Sequence, residues 1–168
     1  VDVQNGVFIP CIEKDYLKLA VVERHHHLGN IGVAIVHGCG LKEGAVATTI
    51  AHDSHNAIVV GTNDDDMIKA LEALQEMQGG LVIVRNGEVI ASLSLPIAGL
   101  MTNEPADIVV PKLEEVHKAI HKIHPTLSYH FFLTLSFLGL PVIPELKLTD
   151  TGLFDVVQFK HIETEVSI

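Results

Sequence analysis

The fold is decided by LVIVRNGEVIASL, residues 81–93. Two runs rich in β-forming residues, 81–85 and 88–93, flank the pair Asn86 and Gly87. Asn-Gly favours a two-residue type I′ turn, because both central residues of that turn need a positive φ. The stretch therefore predicts a β-hairpin and, with it, an antiparallel sheet.

A helix is predicted just before this hairpin, over residues 64–77. Asn63 is a good N-cap residue, and Asp64, Asp65 and Asp66 fill the first turn, where carboxylates oppose the positive end of the helix dipole. Apolar residues then recur at helical spacing until Gly79-Gly80 ends the pattern. We interpret the acidic triplet as a cap; the alternative is a cation site.

Four strands are predicted upstream, at residues 17–22, 31–36, 45–51 and 57–60. The run 31–36 is almost unbroken apolar sequence, which is typical of a strand buried on both faces.

Downstream, we expect a helix over 111–123 with Pro111 at its first position, where the missing N–H costs little. A packed irregular segment over 136–146, a turn over 149–152 and a closing strand over 154–161 follow. The whole predicts one α+β domain, residues 1–168, with a mainly antiparallel β-sheet flanked by a few helices.

Composition bounds the function. The 168 residues carry a formal net charge of −10, 48% are apolar, and mean hydropathy is +0.35. The length is too short for a (β/α)8 barrel, which needs about 250 residues. The acidic balance argues against nucleic acid. The apolar excess predicts that another protein surface, a barrel or a second copy of the chain, covers part of this one.

Membranes and disulfides are not expected. The longest apolar stretch, 131–144, is too short to span a bilayer and contains two prolines. Cys11 and Cys39 form neither a disulfide framework nor a zinc pattern, so a reducing cytoplasm is the default compartment.

The densest polar block is His52-Asp53-Ser54-His55-Asn56, between two predicted strands. Two imidazoles and a carboxylate can relay protons near neutral pH. The alternative is a polar turn in which Asp53 and Asn56 cap backbone N–H groups.

A second polar group, Glu23, Arg24 and His25, ends the first of these strands. Glu23 and Arg24 form an ion pair or a substrate clamp. His25 and His27 make an H-x-H pair of the kind that binds metals, but no later series of His and Asp ligands completes such a site.

The third histidine group, His117, His121 and His124, shares one face of the second predicted helix. Two of its members could hold zinc only with further ligands. We interpret the three as a boundary row of half-buried imidazoles.

Several motifs in order resemble the segment that follows the catalytic barrel in prokaryotic adenine deaminases. They are VVERH (21–25), GNIG (29–32), GLKEGA (40–45), AHDSHN (51–56), VGTNDDDM (60–67), LPIAGLM (95–101), LSFL (135–138) and LPVIPELKLTD (140–150). His26 and His27 enlarge a single histidine expected after Glu-Arg, so the H-x-H pair of His25 and His27 is incidental. The run 125–132 departs from an expected Asp-Pro-Phe.

The resemblance implies a larger enzyme of the amidohydrolase superfamily, which hydrolyses adenine to hypoxanthine and ammonia in purine salvage. Its barrel holds a divalent metal site, with manganese or iron as the expected metal. By this resemblance the chain is the C-terminal domain alone, without metal or cofactor of its own, and is inactive in isolation.

The hypothesis that follows is that the polar loops face the barrel mouth, where they help close it or orient adenine. The residues concerned are Glu23, Arg24, His25, His52, Asp53, His55 and Asn56. Two alternatives stay open: a structural or oligomerisation module, and a free-standing module that binds a small ligand. The expected partners are the rest of the deaminase chain and, in a homo-oligomer, a second copy.

Overall fold

A computed structural model describes residues 2–4 and 6–163. These residues form fourteen elements, which are numbered in chain order. The strands are β1 (Asp2–Gln4), β2 (Val7–Ile9), β3 (Tyr16–Val22), β4 (Ile31–His37), β5 (Ala45–Thr48), β6 (Ala57–Gly61), β7 (Gly80–Arg85), β8 (Glu88–Ser94), β9 (Leu146–Thr149), β10 (Gly152–Asp155) and β11 (Lys160–His161). The helices are α1 (Asp64–Glu76), α2 (Ala106–Ile123) and α3 (Phe131–Phe137).

Six strands form the central sheet in the order β4-β3-β6-β5-β7-β8, and every neighbouring pair is antiparallel. The hairpin predicted at 86–87 is confirmed: Arg85 pairs with Glu88, and Asn86 and Gly87 have φ of 53° and 78°. The sheet and its flanking helices confirm the α+β class.

Each face of the sheet has its own core. On one face, α1 packs over β5, β6 and β7 through small and aliphatic side chains such as Ala47, Met67 and Ala70. On the other face, α2, α3 and β9 cover a larger core. Asn63 caps α1 as predicted, because its Oδ1 accepts a hydrogen bond from Asp66 N at 2.8 Å.

Helix α2 corrects the sequence-based prediction. It begins at Ala106, not at Pro111, and Pro105 is its N-cap residue. Pro111 therefore lies inside the helix, where its missing N–H leaves the carbonyl of Asp107 without its helical partner. The surrounding surface is exposed, so water can satisfy this carbonyl.

Three further boundaries were predicted wrongly. The strand expected over 45–51 ends at Thr48. The segment expected to be irregular from residue 136 begins within α3. The closing strand expected over 154–161 is two short strands, β10 and β11, because residues 156–159 turn and Phe159 has a φ of 52°.

Strand β4 also differs from expectation. It is the edge of the sheet, and the part of the chain that the structure describes covers only one of its faces. Ala34 and Val36 pack against the larger core, whereas Ile31, Val33 and Ile35 are exposed. The prediction of a strand buried on both faces is therefore wrong within the described residues.

No helix in the described part of the chain combines the length and apolar character that crossing a membrane requires.

Candidate functional site

The two polar groups singled out in the sequence meet at one end of the central sheet. Val22, the last residue of β3, pairs with Ala57 of β6 on one side and with Ile31 of β4 on the other. Residues 23–25 leave the sheet where the 52–56 loop enters it. We call residues 23–25 and 52–56 the polar corner.

Arg24 ties three segments together. Its Nε donates to the carbonyl of His55 at 2.6 Å, and its Nη2 donates to the carbonyl of Ala98 at 2.6 Å. Burial lowers the pKa of Arg24 from its ordinary value. The next residue, Gly99, has a φ of 73°, and a Cβ there would meet the guanidinium group of Arg24. Only glycine lets the 98–99 backbone approach so closely.

Glu23 organises its own loop. Its Oε1 accepts hydrogen bonds from the backbone N–H groups of His25 (2.6 Å) and His26 (2.7 Å), and its Oε2 accepts one from Leu28 (3.0 Å). Desolvation raises the pKa of the carboxyl group, but the three N–H groups together outweigh it, so the pKa is lowered. The carboxylate thus binds backbone, and the Glu23–Arg24 ion pair that the sequence left open does not form.

The histidines of the polar corner lie near one another without forming a hydrogen-bonded relay. His25 Nε2 lies 2.8 Å from the carbonyl of Ser54, to which it donates when that nitrogen carries the proton. The ring of His52 lies edge-on to that of His55, with 6.1 Å between centroids, and 5.2 Å from the ring of Phe137. Asp53 points into solvent.

Asp150 is the residue that the sequence analysis missed. Its Oδ1 accepts from Asn56 Nδ2 at 3.1 Å, and its Oδ2 accepts from Asn30 Nδ2 at 3.2 Å. Asn56 is 4% exposed. Its side chain therefore binds Asp150 and does not cap a backbone N–H group, which corrects one of the two roles considered for it; its own backbone N–H donates to Ser54 Oγ.

Two buried polar atoms of the polar corner have no hydrogen-bond partner among the described residues: His55 Nδ1 and Asn56 Oδ1. Each can accept a hydrogen bond, in the case of His55 when Nε2 carries the proton. An unsatisfied buried acceptor costs about 1–3 kcal/mol, so a donor that reaches the corner would be bound favourably.

The third histidine group does not form a uniform row. His117 and His121 are exposed, whereas His124 is buried beside the rings of Tyr129 and Phe131. Burial lowers the pKa of His124 and raises those of Tyr129 and Cys39 to about 12. Tyr129 donates to the carbonyl of Cys39 at 3.1 Å.

A metal site needs three or more ligand side chains that converge on one point. Within residues 2–4 and 6–163, no group of three or more His, Cys, Asp or Glu side chains is placed to hold a metal ion. His27 lies in the loop beyond the end of β3 with a φ of 55°, so it does not alternate with His25 along a strand. The acidic triplet is divided among cap, ion-pair and turn contacts, since Asp64 pairs with Lys18 and Asp66 accepts from Gly87 N.

The fold and the corner define a class: an α+β domain with one antiparallel six-stranded sheet, whose polar loops are fixed by internal hydrogen bonds. The family model described as "Adenine deaminase C-terminal domain" matches residues 1–160. The chain belongs to this family.

Proteins named adenine deaminase are similar to the chain over nearly its whole length. The one from Lysinibacillus sphaericus is 62% identical over 98% of the chain, and the one from Listeria welshimeri is 55% identical over 99%. The one from Halalkalibacterium halodurans is 52% identical over 99%. The chain spans only 28–29% of the length of these relatives.

Proposed function

We propose that the chain works as one domain of an enzyme that hydrolyses adenine to hypoxanthine and ammonia. The observation that carries this proposal is the family match over residues 1–160, together with 62% identity to a protein named adenine deaminase. Since the chain spans under a third of such relatives, the remaining part of the enzyme completes the active site, and this chain by itself does not turn over adenine.

The chemistry of the reaction supports an active site that the rest of the enzyme completes. Hydrolysis at a purine carbon needs an activated water, which a divalent metal supplies by lowering the pKa of the water. The described residues do not fit such a metal, because they offer no cluster of three ligands. We therefore assign the metal, manganese or iron, to the rest of the enzyme.

In this proposal the polar corner faces the mouth of the catalytic barrel and helps to exclude water and orient adenine. The seven candidate residues of the corner divide into two roles. Glu23, Arg24 and Asn56 are positioning residues, because their polar groups hold backbone or Asp150. His25 holds Ser54, while His52, Asp53 and His55 present imidazole and carboxylate groups near the surface.

A structural role is the second candidate. The observation that favours it is that Arg24 and Glu23 make five hydrogen bonds to backbone atoms of this same chain. In that case the corner merely holds the domain together or seats it against a neighbouring domain or a second copy. A free-standing ligand-binding module is the third; calorimetric titration of the chain with adenine, Mn²⁺ and Zn²⁺ tests it.

The main experiment uses a chimera in which this chain replaces the segment it matches in the Lysinibacillus sphaericus enzyme. We expect the chimera to deaminate adenine. His52→Ala and Asp53→Ala should each lower kcat/KM about tenfold to a hundredfold without lowering Tm, because groups at a substrate site act on turnover. His117→Ala, an exposed histidine outside the corner, is the control and should change neither quantity.

Normal turnover with a lowered Tm in the corner variants would support the structural role. A folded chimera that leaves adenine unchanged would overturn the proposed activity.

We further propose that the protein works in the cytoplasm, because its two cysteines, Cys11 and Cys39, are both unpaired thiols, as a reducing compartment keeps them.

A further inference from the structure

The exposed face of β4 carries a strip of β-branched side chains. Ile31, Val33 and Ile35 alternate along the strand and so share one face, and they are 59%, 46% and 38% exposed. Leu28, in the connection just before β4, is 63% exposed. We call these four residues the β4 strip.

The β4 strip continues a buried core. Val22 and Ala20 of β3 stand directly opposite Ile31 and Val33. Ala20 belongs to the core that α1 covers, and Val22 is partly buried and packs against that core. Helix α1 lies over β5, β6 and β7, so the cover stops before β4. An antiparallel strand with one solvated face is expected to carry polar residues there. Here the sequence is apolar on both faces, although the described residues cover only one face.

The opposite face of β4 is closed by β9 and β10. A Cβ at Gly32 would meet the carbonyl oxygen of Thr149. The β9–β10 turn therefore seats against the backbone of β4 on that side. Among residues 2–4 and 6–163, the strand lacks a cover only on the side of the β4 strip.

A surface that packs on the β4 strip would have to be apolar. Lys18 stands opposite Ile35, and its ammonium group pairs with Asp64 Oδ1 at 2.5 Å. The cation that stands opposite the strip is thus paired with a carboxylate of the same chain, and the four residues of the strip are themselves aliphatic.

The size of the strip favours a covalently linked occupant over a second copy. A stable complex of separate proteins buries about 800 Å² on each partner, and four partly exposed aliphatic side chains supply well below that. A linked domain needs much less area, because the linkage raises its effective concentration to about the millimolar range. The relatives are more than three times as long as this chain, so most of the protein lies outside it.

We infer that the β4 strip docks onto an apolar surface of the part of the adenine deaminase outside this chain. The inference rests on the proposed function, because that function supplies the occupant. The strip also adjoins the polar corner, since Leu28 N–H donates to Glu23 Oε2. Docking at the strip would hold the corner at a fixed distance from the rest of the enzyme.

The test is the rate of maleimide labelling of Val33→Cys in the chain alone and in the chimera. Val89→Cys is the matched control, because Val89 is also β-branched, lies on the opposite edge strand β8 and is 40% exposed. Mass mapping separates the new thiols from Cys11 and Cys39. A covered thiol reacts slowly, so we expect Val33→Cys to react about tenfold or more slowly in the chimera than in the chain alone, with Val89→Cys unchanged.

Equal rates for Val33→Cys in both proteins would overturn the inference, even if the chimera deaminates adenine. Protection that appears in the chain alone and grows with its concentration would show a second copy as the occupant and would also overturn it. A folded chimera with a protected strip and no adenine turnover would support docking while the proposed activity fails. If the chimera does not fold, labelling of the chain mixed with the relative's remaining segment gives the same readout.

Discussion

Replacement of Asp150 by alanine tests whether this carboxylate joins the two halves of the polar corner. The Asn56 amide is buried, and its bond to Asp150 Oδ1 is 3.1 Å long. Without the carboxylate, the Nδ2 hydrogens of Asn56 stay buried and unpaired, which costs about 1–3 kcal/mol. Asn30 is better exposed and can turn to water, so its share is about 0.5 kcal/mol.

With about 2 kcal/mol for Asn56, the middle of its range, and about 0.5 kcal/mol for Asn30, the expected loss in the free energy of unfolding is about 2.5 kcal/mol. For a domain of this length, 1 kcal/mol shifts Tm by roughly 2–4 °C, so Asp150→Ala should lower Tm by roughly 5–10 °C. Urea and thermal unfolding of the chain, followed by circular dichroism, measure both quantities. Asp155→Ala is the control, because among the described residues the Asp155 carboxylate accepts only from Gln158 in its own turn, and such local exposed bonds contribute about 0.5 kcal/mol.

A double-mutant cycle separates the contact from other effects. In an Asn56→Ala background there is no buried amide group that could lose its partner. Asp150→Ala should then lower the free energy of unfolding by only about 0.5 kcal/mol. If Asp150→Ala costs the same in both backgrounds, Asp150 stabilises the chain by some other route and the reasoning is refuted.

Three further predictions concern single residues. Burial lowers the pKa of His124 below its ordinary value of 6.5, so as pH falls below 6.5 the unfolded state takes up a proton that the folded state refuses. The contribution of His124 to the free energy of unfolding is therefore complete above pH 6.5 and is lost as the pH falls below it. Urea titrations between pH 7 and 5 measure how steeply the free energy of unfolding falls, and His124→Gln should make this fall less steep. An unchanged dependence on pH would contradict the role given to His124. Burial also raises the pKa of the Cys39 thiol to about 12. Ellman's reagent at pH 8 should therefore modify Cys11 in the native chain and Cys39 only after unfolding. Fast modification of both thiols in the native chain would show that Cys39 is not enclosed. Finally, Gly32→Ala should lower the free energy of unfolding by about 1–3 kcal/mol, because the new methyl group meets the carbonyl of Thr149. Gly139→Ala is the control and should be tolerated, because its methyl group would lie 3.6 Å from the nearest carbonyl oxygen. Equal Tm values for both variants would contradict this packing.

Local signals predicted the parts of the fold whose energetics are local. The Asn86-Gly87 turn and the Asn63 cap are set by the φ and hydrogen-bond preferences of a few adjacent residues, and both are confirmed. The start of α2 was missed because two prolines compete for the helix start. Pro105 takes the N-cap, and tertiary packing of Val116 and Ile120 carries the helix through Pro111.

The residues of the candidate site could be predicted from the sequence, but their hydrogen-bond partners could not. The sequence supplied residues 23–25 and 52–56 as dense polar groups, and strand register then brought them together. The role of Asp150 could not be predicted, because its partners lie 94 and 120 residues earlier in the chain. No local pattern encodes such contacts; for Asp150 the sequence offered a turn at 149–152 and the last position of the motif over 140–150, neither of which names a partner.

The hydrogen bonds of the polar corner limit what its residues can do for catalysis. Arg24 and Glu23 are already committed to backbone partners, so neither can bind substrate without releasing a loop. Such commitments are what a precise site needs, since groups that touch a substrate must be held by a supporting layer. The corner would therefore act through His52, Asp53 and His55, and loss of Arg24 should disturb turnover by displacing His55. Arg24→Lys in the chimera distinguishes displacement of His55 from a general loss of stability. Lysine keeps the positive charge but lacks the planar guanidinium group that binds two carbonyl groups at once. We therefore expect kcat/KM to fall by more than the change in Tm explains.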